Sequence, residues 1–218
     1  AKYKPERLHD FIKMNTKKFN IPKLIRACER FYLWKEAVYL YMHYDEYDSA
    51  ANTMMMHSNT AWSHEEFCVV MQKVSNMEIY YRAIAFYLEE HSKQLNGLLN
   101  AIQAKVDHKR VVDQVKKVVH LGLILPYLKQ VQDNNIAGVN EAINELYIEM
   151  EDIESLRESV DQYNAFDQIS LAQKMEKHEL LEMRRIAALL YKNNKRFKQA
   201  IELSKQDSVW KDCMTTAR

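Results

Sequence analysis

The sequence predicts an all-α protein built as an α-solenoid, in which short helices stack on their neighbours along the chain. One observation behind this prediction is the scarcity of turn-forming residues: 218 residues contain only 3 glycines and 3 prolines. Sheets and sandwiches need a turn about every 8 to 12 residues, usually made with these residue types. Apolar residues make up 47% of the chain, which is enough to bury a substantial core and argues against disorder.

The second observation is a recurring pattern in which an aromatic residue is followed three positions later by a small one. A small residue lets two helices approach closely, and the aromatic ring fills the groove beside it. The first two occurrences lie 13 residues apart and the last two repeat that spacing, which suits one short helix plus a turn. Such units must stack to bury their faces, so we expect the aromatic residues and alanines of the pattern to be buried. The pattern occurs at Trp34/Ala37, Tyr47/Ala50, Tyr80/Ala83, Phe197/Ala200 and Trp210/Cys213.

Predicted breaks divide the chain into helices of about 10 to 15 residues, the usual range for helical hairpins. They fall at 20–22, 57–60, 90–94, 122–126, 132–138 and 192–195. No linker rich in serine, glycine or proline separates these segments, so one continuous body is expected. An ordinary irregular helical domain is the alternative, because an aromatic residue three positions before alanine is common in buried helices.

Composition and motifs argue against several classes of function. The net charge of +1 disfavours general nucleic-acid binding. Three scattered cysteines, Cys28, Cys68 and Cys213, form no disulfide framework and fit a reducing cytosol. His64 begins a zincin-like string, but Cys68 stands where the second histidine ligand would be. We therefore expect no catalysis, no metal and no cofactor. No apolar run approaches the roughly 20 residues of a membrane span.

Charge is segregated along the chain. Residues 102–133 contain 6 basic and 3 acidic residues, whereas residues 141–161 contain 8 acidic residues and one arginine, Arg157. Two interpretations are open. The charges form the solvated outer faces of successive helical units, or they set the register of a partner or of neighbouring copies.

Several strings resemble the proximal leg of the clathrin heavy chain family. They lie at residues 20–29, 33–38, 44–55, 80–89, 166–180 and 184–198, and the resemblance covers essentially the whole chain. The sequence departs from the family where a lysine is expected after residue 89. Glu90 and His91 stand there, and the nearest lysine is Lys93.

The resemblance implies a fold and a set of partners. The fold would be a right-handed α-α superhelix, with residues 1–95 forming the end of one clathrin heavy chain repeat and residues 96–218 most of the last repeat. The function would be that of a structural leg segment of the triskelion, which forms the polyhedral coat of vesicles in endocytosis and intracellular trafficking. Expected partners are the clathrin light chain and other heavy chain legs, with membranes contacted only through adaptors and no nucleic acid bound. The location would be the cytosolic face of coated pits and vesicles.

The resemblance also suggests where a light-chain helix or another leg could bind. An amphipathic helix would place its acidic side near cationic residues. The candidate contact residues are His91, Lys93, Lys105, Lys109 and Arg110. The alternative function is a helical-repeat adaptor of TPR or vacuolar sorting type, whose peptide groove would present lysine, arginine and asparagine on one concave face.

Overall fold

The computed structural model describes residues 10–14, 20–118 and 121–217. Helices account for 81% of them, and none of these described residues lies in a strand. The prediction of an all-α fold is confirmed. The chain divides into two compact units, residues 1–107 and 108–218.

The first unit is built from short α-helices and two 3-10 segments, Ser92–Gln94 and Gln103–Lys105, with residues 10–14 also helical. Its α-helices are α1 (Ile21–Arg30), α2 (Trp34–His43), α3 (Tyr47–Met56), α4 (Ser58–Ala61), α5 (His64–Met71), α6 (Met77–Glu90) and α7 (Leu95–Ile102).

The second unit has the same character, with 3-10 segments at Leu121–Ile124 and Gln132–Asn134. Its α-helices are α8 (His108–Val118), α9 (Leu125–Val131), α10 (Ala137–Glu149), α11 (Ile153–Gln162), α12 (Gln168–Met175), α13 (Leu181–Asn193), α14 (Phe197–Gln206) and α15 (Trp210–Ala217).

Helices pack mainly on elements that are close along the chain. In the first unit, α1 packs on α2, α2 on α3, α3 on α5 and α5 on α7. In the second unit, α8 packs on α10 and α10 on α11, while α12 to α15 pack each on the next. Each helix thus buries its apolar face against local neighbours, as the solenoid prediction requires.

The small residues of the recurring pattern are buried, but most of its aromatic residues are not. Ala37, Ala50 and Ala83 are fully buried, Ala200 is 1% exposed and Cys213 is 8% exposed. Among the aromatic partners Tyr80 is buried, whereas Trp34 and Tyr47 are half-buried.

The expectation that Phe197 and Trp210 are buried is wrong, because these side chains are 47% and 60% exposed. Both are the first residue of a helix, as are Trp34 and Tyr47. A helical side chain leans toward the N-terminus of its helix, so a ring at the first position extends over the preceding turn. Tyr80 lies inside α6 instead, and its ring is held between helices by a hydrogen bond from its hydroxyl to the Val74 carbonyl (2.6 Å).

The turns that precede these helices share one hydrogen-bonding pattern. In the described part of the chain, five helices end in a Schellman motif, in which the residue after the C-cap has a positive φ. After α1, Tyr32 has φ 59°, its N–H donates to Glu29, and the Leu33 N–H donates to Cys28 at 2.9 Å. The equivalent left-handed residues are Tyr32, Asp45, Glu151, Lys195 and Ser208.

These turns explain the 13-residue spacing seen in the sequence. The helices α1, α2 and α14 each have 10 residues, and each is followed by a three-residue turn. None of the left-handed positions is a glycine, although a left-handed conformation costs other residues roughly 1–2 kcal/mol. Each turn instead satisfies two of the last helical carbonyls, which would otherwise remain without partners.

The segregated charges meet within the second unit. Glu145 on α10 pairs through one oxygen with Lys116 on α8, and through the other with Lys174 on α12 at 3.3 Å. The hydrogen bond from Lys116, aided by the nearby charge of Lys174, holds the pKa of the Glu145 carboxyl below its ordinary value. Lys116 belongs to the basic segment and Glu145 to the acidic one, so at this pair the two segments face each other across α8 and α10.

Replacing the left-handed residue Lys195 by glycine should stabilise the second unit. Lys195→Gly removes the Cβ strain at φ 60° but adds chain entropy to the unfolded state, so we expect a gain of about 0.5–1 kcal/mol. The control is Glu202→Gly, an exposed position in the middle of α14, which should lose about 1 kcal/mol. Urea unfolding followed by circular dichroism measures both changes. Destabilisation by both variants would contradict the assignment of strain to the turn.

The ion pairs of Glu145 should make stability depend on pH in a defined direction. Because the folded-state pKa of this carboxyl is lowered, its contribution is fully present above the ordinary value of 4.5. It should be lost as the pH falls through the lowered value. We expect Glu145→Gln to be less stable than the parent by up to about 1 kcal/mol per pair at pH 7, and the difference to vanish in acid. Urea unfolding at a series of pH values tests this, with the exposed Glu149→Gln of the same helix as control; equal profiles for both variants would refute it.

Candidate functional site

The turn that ends α6 carries the first two candidate contact residues on an aromatic platform. His91 caps α6, and its backbone N–H donates to the Tyr87 carbonyl at 2.9 Å. Its ring stacks on Trp62, with centroids 3.8 Å apart and an interplanar angle of 6°. Lys93 follows in the exposed 3-10 segment. The turn therefore pairs a fixed ring with an exposed ammonium group.

The platform is held by the aromatic residues of α6. Trp62 meets Phe86 and Tyr87 edge-on, with centroids 5.9 and 5.8 Å away. The Tyr87 hydroxyl lies 2.9 Å from Nδ1 of His64, the first residue of α5. Burial, together with the nearby Cys68 thiol, raises the pKa of Tyr87 well above its ordinary value. Tyr87 stays neutral at physiological pH and serves as a fixed structural partner.

One ring nitrogen of the platform, Nε2 of His91, is buried without a hydrogen-bond partner among the described residues, whereas the Trp62 side chain interacts with the Tyr87 hydroxyl. Glu90 Oε2 lies 3.8 Å from Nε2 of His91, too far for a hydrogen bond, and accepts a hydrogen bond from Ser58 at 2.9 Å. The turn therefore packs its ring nitrogens inside the platform and presents Lys93 as an exposed polar side chain.

The other candidate residues lie elsewhere. Lys105 belongs to the 3-10 segment after α7, and its ammonium donates to the carbonyl of Gln72, the residue that caps α5. Lys109 and Arg110 lie in the first turn of α8 in the second unit, and both are exposed. The structure thus brings His91 and Lys93 together and uses Lys105 for the packing of its own unit.

Sequence reasoning missed Trp62, the ring on which His91 stacks. Its signal was present, because a tryptophan lies two residues after a predicted break made of polar residues at 57–60. Tryptophan combines a large apolar surface with one N–H donor, so its presence beside a polar connection indicates a ring that packs at a boundary.

Two kinds of site were sought among the described residues, metal-binding groups and membrane-spanning helices. Across residues 10–14, 20–118 and 121–217, no group of histidine, cysteine and acidic side chains could hold a metal ion. In the same ranges no helix combines the length and apolar character needed to cross a bilayer. The features present are stacked rings, donors and cations, which suit binding.

Comparison with known proteins assigns the family. A family model described as "Clathrin: Region in Clathrin and VPS" matches residues 1–95 and 99–218. Clathrin heavy chain 1 of Oryza sativa subsp. japonica is 56% identical over 216 residues, 99% of this chain and 13% of the relative. Clathrin heavy chain 1 of Arabidopsis thaliana is 54% identical, and clathrin heavy chain 2 of Homo sapiens 44% identical, each over 217 residues that cover 100% of this chain and 13% of the relative.

The chain spans about 13% of the length of these relatives. The resemblance to the clathrin heavy chain predicted from the sequence is confirmed. The match extends over both units and agrees with their short, locally packed helices. This chain therefore belongs to the clathrin family, the family of the region found in clathrin and VPS proteins.

Proposed function

We propose that this chain is a leg segment of a clathrin heavy chain that bears load in a vesicle coat and catalyses nothing. The relatives are named as clathrin heavy chains along the full length of the match. Units whose helices contact mainly local neighbours suit a leg, because flexure is shared among many small interfaces. Contacts between legs can then be individually weak and still hold a coat together through multivalency.

The same proposal includes the position of the repeats and the cellular setting. Residues 1–95 would end one heavy chain repeat, and residues 96–218 would form most of the next; the family match on 1–95 and 99–218 supports this division. The coat would act in endocytosis and intracellular trafficking on the cytosolic face of coated pits and vesicles. Membranes would be contacted indirectly, through adaptors.

The light chain is the proposed partner of the turn after α6. The observation that carries this proposal is the stack of His91 on Trp62, with Lys93 exposed beside it. An amphipathic helix could place apolar side chains on the ring edges and an acidic side chain near Lys93. Lys109 and Arg110 are secondary candidates, and Lys105 is weaker because its ammonium binds Gln72.

A sorting-complex scaffold remains the second candidate function, because the matching family also includes VPS proteins. Such a scaffold would not select a clathrin light chain over an unrelated amphipathic helix. The binding experiment below therefore includes a scrambled helix of equal charge.

Reversing charge at the α6 turn should weaken light-chain binding. A light-chain helix is titrated by isothermal calorimetry against the parent chain and against the double variant His91→Glu/Lys93→Glu. We expect the Kd to rise at least tenfold, or about 1.4 kcal/mol, and more at low salt than at moderate salt. The control, Lys117→Glu/Gln206→Glu, makes the same change in net charge at exposed positions away from the turn and should bind like the parent.

A second variant tests the ring stack apart from the charge. Trp62→Leu removes the ring under His91 without a change of charge, so we expect a loss of about three- to tenfold in affinity. Parent-like binding by both variants would place the light-chain site elsewhere on the chain. Failure of the parent to bind, or equal binding of the scrambled helix, would overturn the light-chain assignment.

A further inference from the structure

The turn between α13 and α14 exposes cations on both sides of an aromatic ring. Phe197, the first residue of α14, is 47% exposed and lies between Arg196 and Lys198. With Lys195 these residues line an open groove of about 410 Å³, whose lining includes no carboxylate. In the part of the chain that the structure describes, none of the three cations forms an ion pair. Residues 195–198 are called the basic turn below.

Acidic residues around the basic turn do not balance its charge. Asn194, which precedes the turn, donates to Gln168 Oε1 at 2.6 Å, so the neighbouring connection contributes Asp167. The carboxylate of Asp167 already accepts from two backbone N–H groups at the start of α12, at 3.1 and 3.0 Å. Glu202 lies one turn further along α14. Three cations against these two carboxylates leave an excess of positive charge.

The turn between α10 and α11 has the same arrangement with the opposite charge. Met150 is 58% exposed and lies between Glu149 and Glu151, which are both exposed. Glu154 follows in the first turn of α11 and is exposed as well. Within the described ranges, none of these three carboxylates forms an ion pair. Residues 149–154 are called the acidic turn below.

Cations near the acidic turn leave its negative charge in excess. Asp152 is engaged as the N-cap of α11, where it accepts from the Ser155 N–H at 3.1 Å. Lys129 lies over the Tyr147 ring at 5.5 Å, and the exposed Arg157 lies further along α11. Four acidic residues in the acidic turn therefore face at most these two cations.

Helix stability does not explain where these charges lie. The C-terminus of a helix favours cations, and the N-terminus favours anions. Glu149 is the last residue of α10, whose last turn contains no basic residue. Arg196 and Lys198 flank the first residue of α14, whose first turn contains no acidic residue. Both turns thus place charge at the less favourable helix end, and an oppositely charged partner would relieve this.

The two turns lie at opposite ends of the helices of the second unit. The Asp167 N–H donates to Glu141 at 3.3 Å, and further along both helices Lys174 pairs with Glu145 at 3.3 Å, so α10 and α12 run side by side in one direction. Asn194 holds the basic turn beside the start of α12, whereas the acidic turn follows the end of α10. Since α10 has 13 residues, the turns are about 20 Å apart along its axis. One copy cannot join its own two turns, but two copies can.

We propose that the basic turn of one copy of this chain binds the acidic turn of a second copy. Met150 of one copy would pack on the Phe197 ring of the other, a thioether–ring contact that is favourable in proteins. The carboxylates on either side of Met150 would accept from the cations on either side of Phe197. The contact joins unlike surfaces, so each pair of copies leaves one turn of each kind free, and association continues beyond the dimer.

This contact rests on the proposed function as a leg segment, because legs that lie side by side present the ends of their helices to each other. A single contact of this kind would be weak in solution and would gain strength in an array that repeats it. The surfaces involved belong to the second unit and do not include the α6 turn.

Changing the charge of either turn should abolish self-association of the whole chain. Lys195→Glu/Lys198→Glu makes the basic turn acidic, and Glu149→Lys/Glu151→Lys removes the excess negative charge of the acidic turn. Sedimentation velocity at low salt should show the average mass of the parent rising with concentration, and moderate salt should weaken this rise. For each variant alone we expect the Kd of self-association to rise at least tenfold.

Mixing the two variants tests the pairing of the turns directly. The first variant keeps only a functional acidic turn and the second only a functional basic turn, so an equimolar mixture should form pairs of unlike variants and stop there. The matched control, Lys23→Glu/Lys35→Glu, makes the same change in net charge as the first variant at exposed positions of the first unit. It should associate like the parent.

Urea unfolding shows that the turn variants are folded. Glu149→Lys and Lys198→Glu each place the favoured charge at a helix end, so both double variants should unfold at a urea concentration at least as high as the parent does. The light-chain helix should bind both variants as it binds the parent. A failure of this proposal is thereby distinguishable from a failure at the α6 turn.

Three outcomes would overturn the proposal. A parent that stays monomeric at low salt and about 1 mM chain, a concentration that would detect a Kd near 1 mM, would show that the turns do not bind each other. Parent-like association of either turn variant would place the contact on another surface. Loss of association in both variants without recovery in the mixture would show that the two turns are not each other's partners.

Discussion

The way each helix ends governs the spacing and packing of its neighbours. Terminal carbonyls of a helix need hydrogen-bond partners, and in the described part of the chain five helices meet that need with a left-handed residue and two backbone hydrogen bonds. The turn occupies three residues, so the next helix starts at a fixed distance and its first side chain extends over the turn. The small residue three positions later then lies at the helix contact, where Ala37, Ala50 and Ala200 are almost completely buried. The same turn therefore produces the same contact between successive helices wherever it recurs.

Polar contacts between helices define the register of this packing. In the second unit, Glu145 joins three helices through Lys116 and Lys174, and the relay from Gln132 through Ser159 to Asn144 joins a 3-10 segment to two helices. Farther along the chain, Arg184 pairs with Asp207 at 2.8 Å and donates to the carbonyl of His178. Since apolar faces can slide while directional bonds cannot, these contacts choose one alignment among several that would bury similar area.

In such a chain, binding to other chains depends on exposed surfaces that the packing of the helices does not cover. At the α6 turn, the half-buried rings of Trp62 and His91 stack on each other, and Lys93 is exposed beside them. Such a turn suits the binding of another chain, in keeping with a family whose named relatives are clathrin heavy chains.

The sequence by itself determined the helical class, the 13-residue spacing and the family, because each depends on local composition or on long identical strings. It also predicted the buried alanines, since a small residue that recurs at a fixed interval commonly lies at a close contact between helices. Only the tertiary structure decided that Phe197 and Trp210 are exposed, because a ring at the first helical position and a ring inside a helix have the same pattern of neighbours in sequence. The left-handed turns at Tyr32 and Asp45 were equally hidden, since glycine is their usual signal and is absent there. The stack of His91 on Trp62 joins residues 29 positions apart. No local sequence pattern pairs these two residues. The packing of α6 against the start of α5 brings their rings together.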